Sequence, residues 1–332
     1  MIAAYKSGTI LRERYRLTNI VGQGGMGNVY RAEDLRLPGR LCAIKEVRPD
    51  PLATAEGRTQ AREQFLQEAS ILAQLDHPNL PKVSDYFTDS GNEYLVMDYV
   101  PGDDLYQVLK VSREADHKLD QETVLAWADQ IIDALAYLHV QDPPVLHRDI
   151  KPSNIKLTPD QRIKLVDFGL VKLLAPDEAR TITVLQGKGT ALYTPLEQYG
   201  GEGSHTDART DIYALGATLY HLLTDYPPPD AKARFLKPSN LRPADDVNPD
   251  ISHHVSESIL WAMEMHPSDR PPTVRTFQGA LEGKTKRPKS EAVGSSGSAI
   301  DSVMRGNWFA IALVLSLLAL AVMLPCFRPT NP

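Results

Sequence analysis

His147-Arg148-Asp149-Ile150-Lys151-Pro152-Ser153-Asn154, with Asp167-Phe168-Gly169 beginning thirteen residues beyond Asn154, is the stretch on which the reading of this 332-residue chain turns. A carboxylate such as Asp149 can accept the proton of an attacking hydroxyl. Lys151, two residues on, can meet the charge of a moving phosphoryl group. Asn154 and Asp167 offer hard oxygen ligands of the kind Mg²⁺ takes, with Mn²⁺ as a second candidate. This spacing suits phosphoryl transfer from Mg-ATP. Either tripeptide alone would say little. The two in order ask for more than a polar turn between strands.

Upstream, Val21-Gly22-Gln23-Gly24-Gly25-Met26-Gly27-Asn28-Val29-Tyr30 carries G-x-G-x-x-G with an extra glycine. Glycines let backbone amides approach phosphate oxygens, because no Cβ intervenes. A dinucleotide fold uses the same string, but there the loop opens a helix. Here Asn28–Asp34 has the composition of a second strand, which makes the loop a hairpin lid. Sixteen residues past Val29 stands Lys45, in the β-rich run Leu41–Val47. A strand lysine can pair with α/β-phosphates if a carboxylate positions it. Glu68, on a helix expected over Arg58–Leu75, is the candidate partner, and Glu63 is the alternative.

These motifs together resemble a eukaryotic-like (Hanks-type) serine/threonine protein kinase, most closely the membrane-anchored bacterial branch. The resemblance covers residues 15–282. It implies an α+β, bilobal protein-kinase fold with a β-rich N-lobe (15–97) and a helical C-lobe (98–282). It implies ATP as cofactor, proteins bearing Ser or Thr as substrates, and self-association for trans-autophosphorylation. By resemblance, residues Val21 to Gly27 close over the phosphates, and Val29 and Ala43 cover adenine. Met97 is then the gatekeeper, and Asp98–Val100 the hinge that bonds the base. Leu72, Val83, His147 and Phe168 form the apolar stack between lobes. Lys151 is what serine/threonine kinases carry at that position. Thr190 is placed to bond Asp149 and Lys151. Thr181 and Thr183 resemble autophosphorylated threonines, with Arg148 receiving the phosphate. Asp211 holds the catalytic-loop backbone, and Arg270 pairs with Glu197.

Two positions depart from the family pattern. Pro195-Leu196-Glu197 stands where Ala-Pro-Glu is usual. Lys156 stands where relatives put Leu or Met beneath adenine, so its stem is expected to cover the ring while its ammonium snorkels out. A pseudokinase scaffold is the rival reading, and the complete set Lys45, Glu68, Asp149, Asn154 and Asp167 argues against it. A small-molecule kinase is opposed by the peptide-docking activation segment, Asp167 to Glu197. Histidines 253, 254 and 266 lack metal-ligand spacing and suit surface or capping roles.

Composition sets the frame. A hydrophobic content of 42% supports a sizeable core, and a net charge of −6 argues against nucleic acid as a partner. The two cysteines, Cys42 and Cys326, lie too differently to suggest a disulfide, which fits a reducing cytoplasm. Residues 1–14 read as an N-terminal extension with no apolar signal region. The tail differs. Trp308 to Phe327 carries no charge, and about 20 helical residues cross a hydrocarbon core of roughly 30 Å. The expectation is a single transmembrane helix over 307–327 in the cell (inner) membrane, followed by a short tail, 328–332. A buried C-terminal helix of the folded domain is the alternative. Residues 283–306 form a flexible linker whose Lys284, Lys286, Arg287, Lys289 and Arg305 keep the folded domain cytoplasmic by the positive-inside rule. That basic cluster either touches anionic lipid or simply solvates the linker.

Overall fold

Alternate residues of Gly27–Asp34 are buried, as a strand with one covered face requires. The computed structural model describes residues 5–24, 27–49, 52–167, 190–199 and 206–288. In it, strands β1 (Ile10–Leu11), β2 (Tyr15–Gly24), β3 (Gly27–Asp34) and β4 (Leu41–Val47) precede helix α1 (Ala55–Gln74), and β5 (Val83–Asp89) and β6 (Asn92–Asp98) follow it. The six strands form one sheet in the order β1-β2-β3-β4-β6-β5, every pairing antiparallel. Helix α1 begins three residues earlier than its apolar spacing suggests, because Thr54 caps it by accepting from the Gly57 amide. Its buried residues Phe65, Ala69 and Leu72 face the sheet side that continues into the main core.

The other sheet face has its own core, with Tyr15, Tyr30, Phe87 and Tyr94 stacked or buried in it. The supposed extension belongs here. Leu11 is buried, β1 pairs with β2, and the Tyr5 and Tyr94 hydroxyls lie 2.8 Å apart. The folded unit therefore starts before Tyr15. Cys42 lies in this core too, and burial pushes its thiol up to about 11.

Past Asp98 come β7 (Asp103–Asp104), α2 (Leu105–Glu114) and α3 (Gln121–His139). Strands β8 (Ile155–Leu157) and β9 (Ile163–Leu165) follow, then α4 (Ala208–Thr224). The short strands pair as β7-β8-β9. Gly102 enters β7 at φ +98°, and a Cβ there would lie 2.1 Å from the Leu157 carbonyl oxygen; only glycine fits. Helix α4 is buried on all sides from Thr210 to Thr224, so its apolar residues need no single stripe. Shorter helices α5 (Ala231–Leu236), α6 (Ala244–Val247), α7 (His253–Ala262) and α8 (Val274–Leu281) complete this lobe.

The chain divides into two units, Met1–Arg287 and Pro288–Pro332. Among the described residues no helix is long and apolar enough to cross a membrane. The expected span, 307–327, lies outside the described residues, as does the linker beyond Pro288. At the linker's start, Lys284 pairs with Glu282 at 2.8 Å and Arg287 with Glu264 at 2.6 Å.

Candidate active site

Three elements hold the segment 147–154. Asp211, in the first turn of α4, is fully buried. Its Oδ2 accepts from the His147 amide at 2.9 Å, and its Oδ1 from the Arg148 amide at 2.8 Å. His139, in the last turn of α3, adds its Nε2 at 2.9 Å from Asp211 Oδ2. Gln198 Nε2 donates to the Arg148 carbonyl at 3.2 Å. These bonds hold Arg148 at φ +64°, a conformation costly for a non-glycine residue. Burial disfavours the Asp211 charge, but the His139 hydrogen bond, His139 and His147 outweigh it, so its pKa is lowered. His139 and Gln198 were not singled out in the sequence. A lone His at a helix end carries no signal of what it will meet.

The loop so fixed presents a cluster. Lys151 Nζ donates to Asp149 Oδ2 at 2.8 Å and to Thr190 Oγ1 at 2.9 Å. Thr190 thus reaches Asp149 through the lysine. Asn154 Nδ2 donates to the Asp149 carbonyl and to Asp149 Oδ2, both at 2.8 Å. Asp149 Oδ1 is buried and has no hydrogen-bond partner among the described residues. An orphaned acceptor held this firmly is suited to take a proton. With its amide nitrogen committed to Asp149, Asn154 keeps Oδ1 for a cation.

Asp167 stands at φ +66°, and Lys45 Nζ lies 2.6 Å from its Oδ1. Burial opposes the Asp167 charge, but Lys45, Lys151 and His147 together lower its pKa. The sequence reading gave Lys45 to a glutamate. Glu63 is exposed and drops out. Glu68 does face inward, yet its Oε2 is buried without a hydrogen-bond partner among the described residues, and the ion pair goes to Asp167. Two carboxylates face one ammonium, and Asp167, which takes the 2.6 Å contact with Lys45, is the one held ionised. Burial pushes Glu68 up to about 7, against the pull of Arg148 and Lys45. Between its ordinary 4.5 and 7 the folded state keeps a proton that the unfolded state has lost. Stability from this group therefore falls as pH rises through that window. Glu68→Gln, which cannot ionise, should gain on the wild type from pH 5 to pH 8 in urea midpoint. A difference that does not change with pH would show that Glu68 ionises normally.

The glycine string does form a hairpin, with Gly24 opposite Gly27; a dinucleotide fold would need a helix there. Gly25 and Met26 lie outside the described residues. At Gly27 a Cβ would sit 1.9 Å from the Glu46 carbonyl oxygen, so this glycine also lets β3 pass β4. Val29 stands opposite Lys45, and Met97 opposite Ala43. Val100 is buried, while Asp98 turns its side chain toward Arg40 at 3.3 Å. Leu72, Val83 and His147 are buried, as a stack between lobes needs; Phe168 lies outside the described residues.

Lys156 does not simply reach into water: its Nζ donates to the Gly102 carbonyl at 2.7 Å. That carbonyl is exposed and can take water instead. Lys156→Met should therefore leave ATP affinity unchanged or tighter in calorimetric titration. A tenfold loss would show that the ammonium contacts nucleotide.

Arg270 grips Glu197 with both nitrogens, Nη1–Oε1 at 2.6 Å and Nη2–Oε2 at 3.0 Å. Leu196–Tyr199 forms a 3-10 turn that places Glu197 despite the shifted proline. Thr181 and Thr183 lie outside the described residues. His253 pairs with Asp245, and His266 caps the turn at Ser268.

The sequence profile described as protein kinase domain matches residues 15–280. The serine/threonine-protein kinase pkn3 of Myxococcus xanthus is 33% identical over 297 residues, covering 84% of this chain and 51% of the relative. The tyrosine-protein kinase MasK of the same species is 32% identical over 286 residues, 81% of this chain and 42% of the relative. The crystal structure of the PknI kinase domain of Mycobacterium tuberculosis superposes with a TM-score of 0.66 at 28% identity. It covers 85% of this chain and 99% of that one. The chain spans about half the length, or less, of these curated relatives.

Proposed function

The chain belongs to the protein kinase domain family, and on that premise we propose that it transfers the γ-phosphate of ATP to serine or threonine hydroxyls of proteins. The observation that carries the reading is the cluster Asp149, Lys151, Thr190 and Asn154 on a backbone held by Asp211. Asp149 accepts the hydroxyl proton as the new O–P bond forms and the β–γ bridging bond breaks. Lys151 meets the charge of the moving group, and Lys45 pairs with the α/β-phosphates. Asn154 Oδ1 and Asp167 would hold Mg²⁺ or Mn²⁺, which would supply positive charge against the phosphates. Among the described residues Arg148 Nε is buried without a partner, which supports its receiving phosphate from Thr181 or Thr183 on autophosphorylation by a second copy.

The test is radiolabelled phosphate transfer from ATP to a generic protein substrate, followed by phosphoamino-acid analysis. Phosphoserine or phosphothreonine is expected. Phosphotyrosine alone would overturn the acceptor class, and no transfer would favour the scaffold reading.

Anchoring forms the second half of the proposal. The uncharged run 308–327 supports a single-pass membrane helix with the kinase domain on the cytoplasmic side. Deleting residues 306–332 should release the kinase from carbonate-washed membranes with near-normal activity per molecule. A truncated chain still in the washed membrane would show that this run is not the anchor.

A further inference from the structure

Glu46 follows Lys45 on β4, so its side chain takes the opposite face of the sheet, where it is 2% exposed. A carboxylate that deep needs donors, and it has them. Its Oε2 accepts from the Arg48 guanidinium at 2.6 Å, the Tyr30 hydroxyl at 3.2 Å and the Asn28 amide at 3.3 Å. Its Oε1 accepts from the Asn92 amide at 3.0 Å. Tyr30 Oη in turn accepts from Asn28 Nδ2 at 2.9 Å and from the Tyr5 backbone amide at 3.2 Å.

Asn28 connects this net to the cleft. It is the first residue after Gly27, it is buried, and its backbone pairs with Gln23 across the hairpin. Its neighbour Val29 stands opposite Lys45. The hairpin has little else to hold it. Gly22, Gly24, Gly25 and Gly27 have no side chain to pack, and Val21 and Gln23 are exposed. Its position is therefore set from the base of β3, where Asn28 Nδ2 donates both to Glu46 and to Tyr30. Hydrogen bonds fix distance and direction more narrowly than apolar packing does.

We propose that Asn28 and Glu46 are positioning residues for phosphate binding: their hydrogen bond fastens the glycine hairpin where its backbone amides can meet the phosphates of ATP. A clamp ordered in advance pays less on binding. The proposal rests on the kinase reading above, and the test separates the two. Asn28→Asp sets two carboxylates against each other and should raise KM for ATP about fivefold to tenfold, the worth of one buried hydrogen bond to a charged group. The kcat should stay within about twofold of wild type, since the reacting groups are untouched. Adding Glu46→Gln should restore KM, because the new amide then donates to the new carboxylate. Asn28→Ala leaves Glu46 with Arg48, Tyr30 and Asn92; it should show a smaller rise, and it carries the test if the aspartate variant does not fold. Amide hydrogen exchange over residues 20–24 and 27–30, measured without nucleotide, should quicken in Asn28→Asp and recover in the double variant. Phe87→Leu, in the same core on the edge strand β5, should lower the urea midpoint and move neither readout. An unchanged KM in the position-28 variants, no recovery in the double variant, or an equal rise in Phe87→Leu overturns the proposal, while wild-type transfer upholds the kinase reading. A wild-type chain that transfers no phosphate overturns that reading, and hydrogen exchange, which needs no ATP, then decides the fastening alone.

Discussion

Replacing Asp149 by asparagine should slow phosphate transfer by about 10²–10⁴-fold, the usual worth of a positioned general base. Asparagine keeps an oxygen for Lys151 and Asn154, so the loop stays in place. It cannot take a proton at the position of the orphaned Oδ1. ATP binding should persist, because Asn154, Asp167 and Lys45 remain. Initial rates on a protein substrate, with calorimetric titration of ATP, check both halves. A variant as fast as wild type would show that the proton goes elsewhere. Loss of ATP binding alongside the rate would mean that Asp149 holds the loop and is not its base.

Arg270→Ala should cost about 3–5 kcal/mol, the range for removing one partner of a buried ion pair. The Arg270 side chain is fully buried, and Glu197 nearly so. Among the described residues, truncation leaves Glu197 the Thr210 hydroxyl alone, 3.1 Å from Oε1. It also strips a donor from the carbonyls of Glu264, Met265 and Arg209. Lysine should not rescue the loss, since one ammonium cannot replace a planar fork. Urea unfolding followed by circular dichroism gives the number. A cost below about 1 kcal/mol would put the pair in the class of exposed salt bridges. Pairing Arg270→Met with Glu197→Gln should recover much of the loss, because no buried charge then lacks a partner.

Apolar spacing over 122–139, 211–224 and 274–281 predicts a helix at each, and the observed α3, α4 and α8 lie within a few residues of those bounds. Each has enough apolar residues at helical spacing to announce itself. Strand β5 was not anticipated. Only its Val83 and Phe87 are buried, too few for a pattern. Helix α5 is too short to have one, and its two largest apolar residues face outward. Strand β1 and Tyr5 are structured only because β2 and Tyr94 await them.

The site divides in the same way. Asp149, Lys151 and Asn154 lie within five residues of one another, and short separations along one loop bring such groups into contact, as they do here. What the sequence determined is therefore which polar groups gather on this loop and the two-lobed order of strands and helices. Which carboxylate holds Lys45, why Arg148 tolerates a left-handed backbone, and where the Lys156 ammonium ends were decided by tertiary structure. Those outcomes depend on desolvation and on partners 54 to 122 residues away. The energy of a charge is set by how much water it loses and by what the fold brings beside it. Neither quantity is written in the residues next to it.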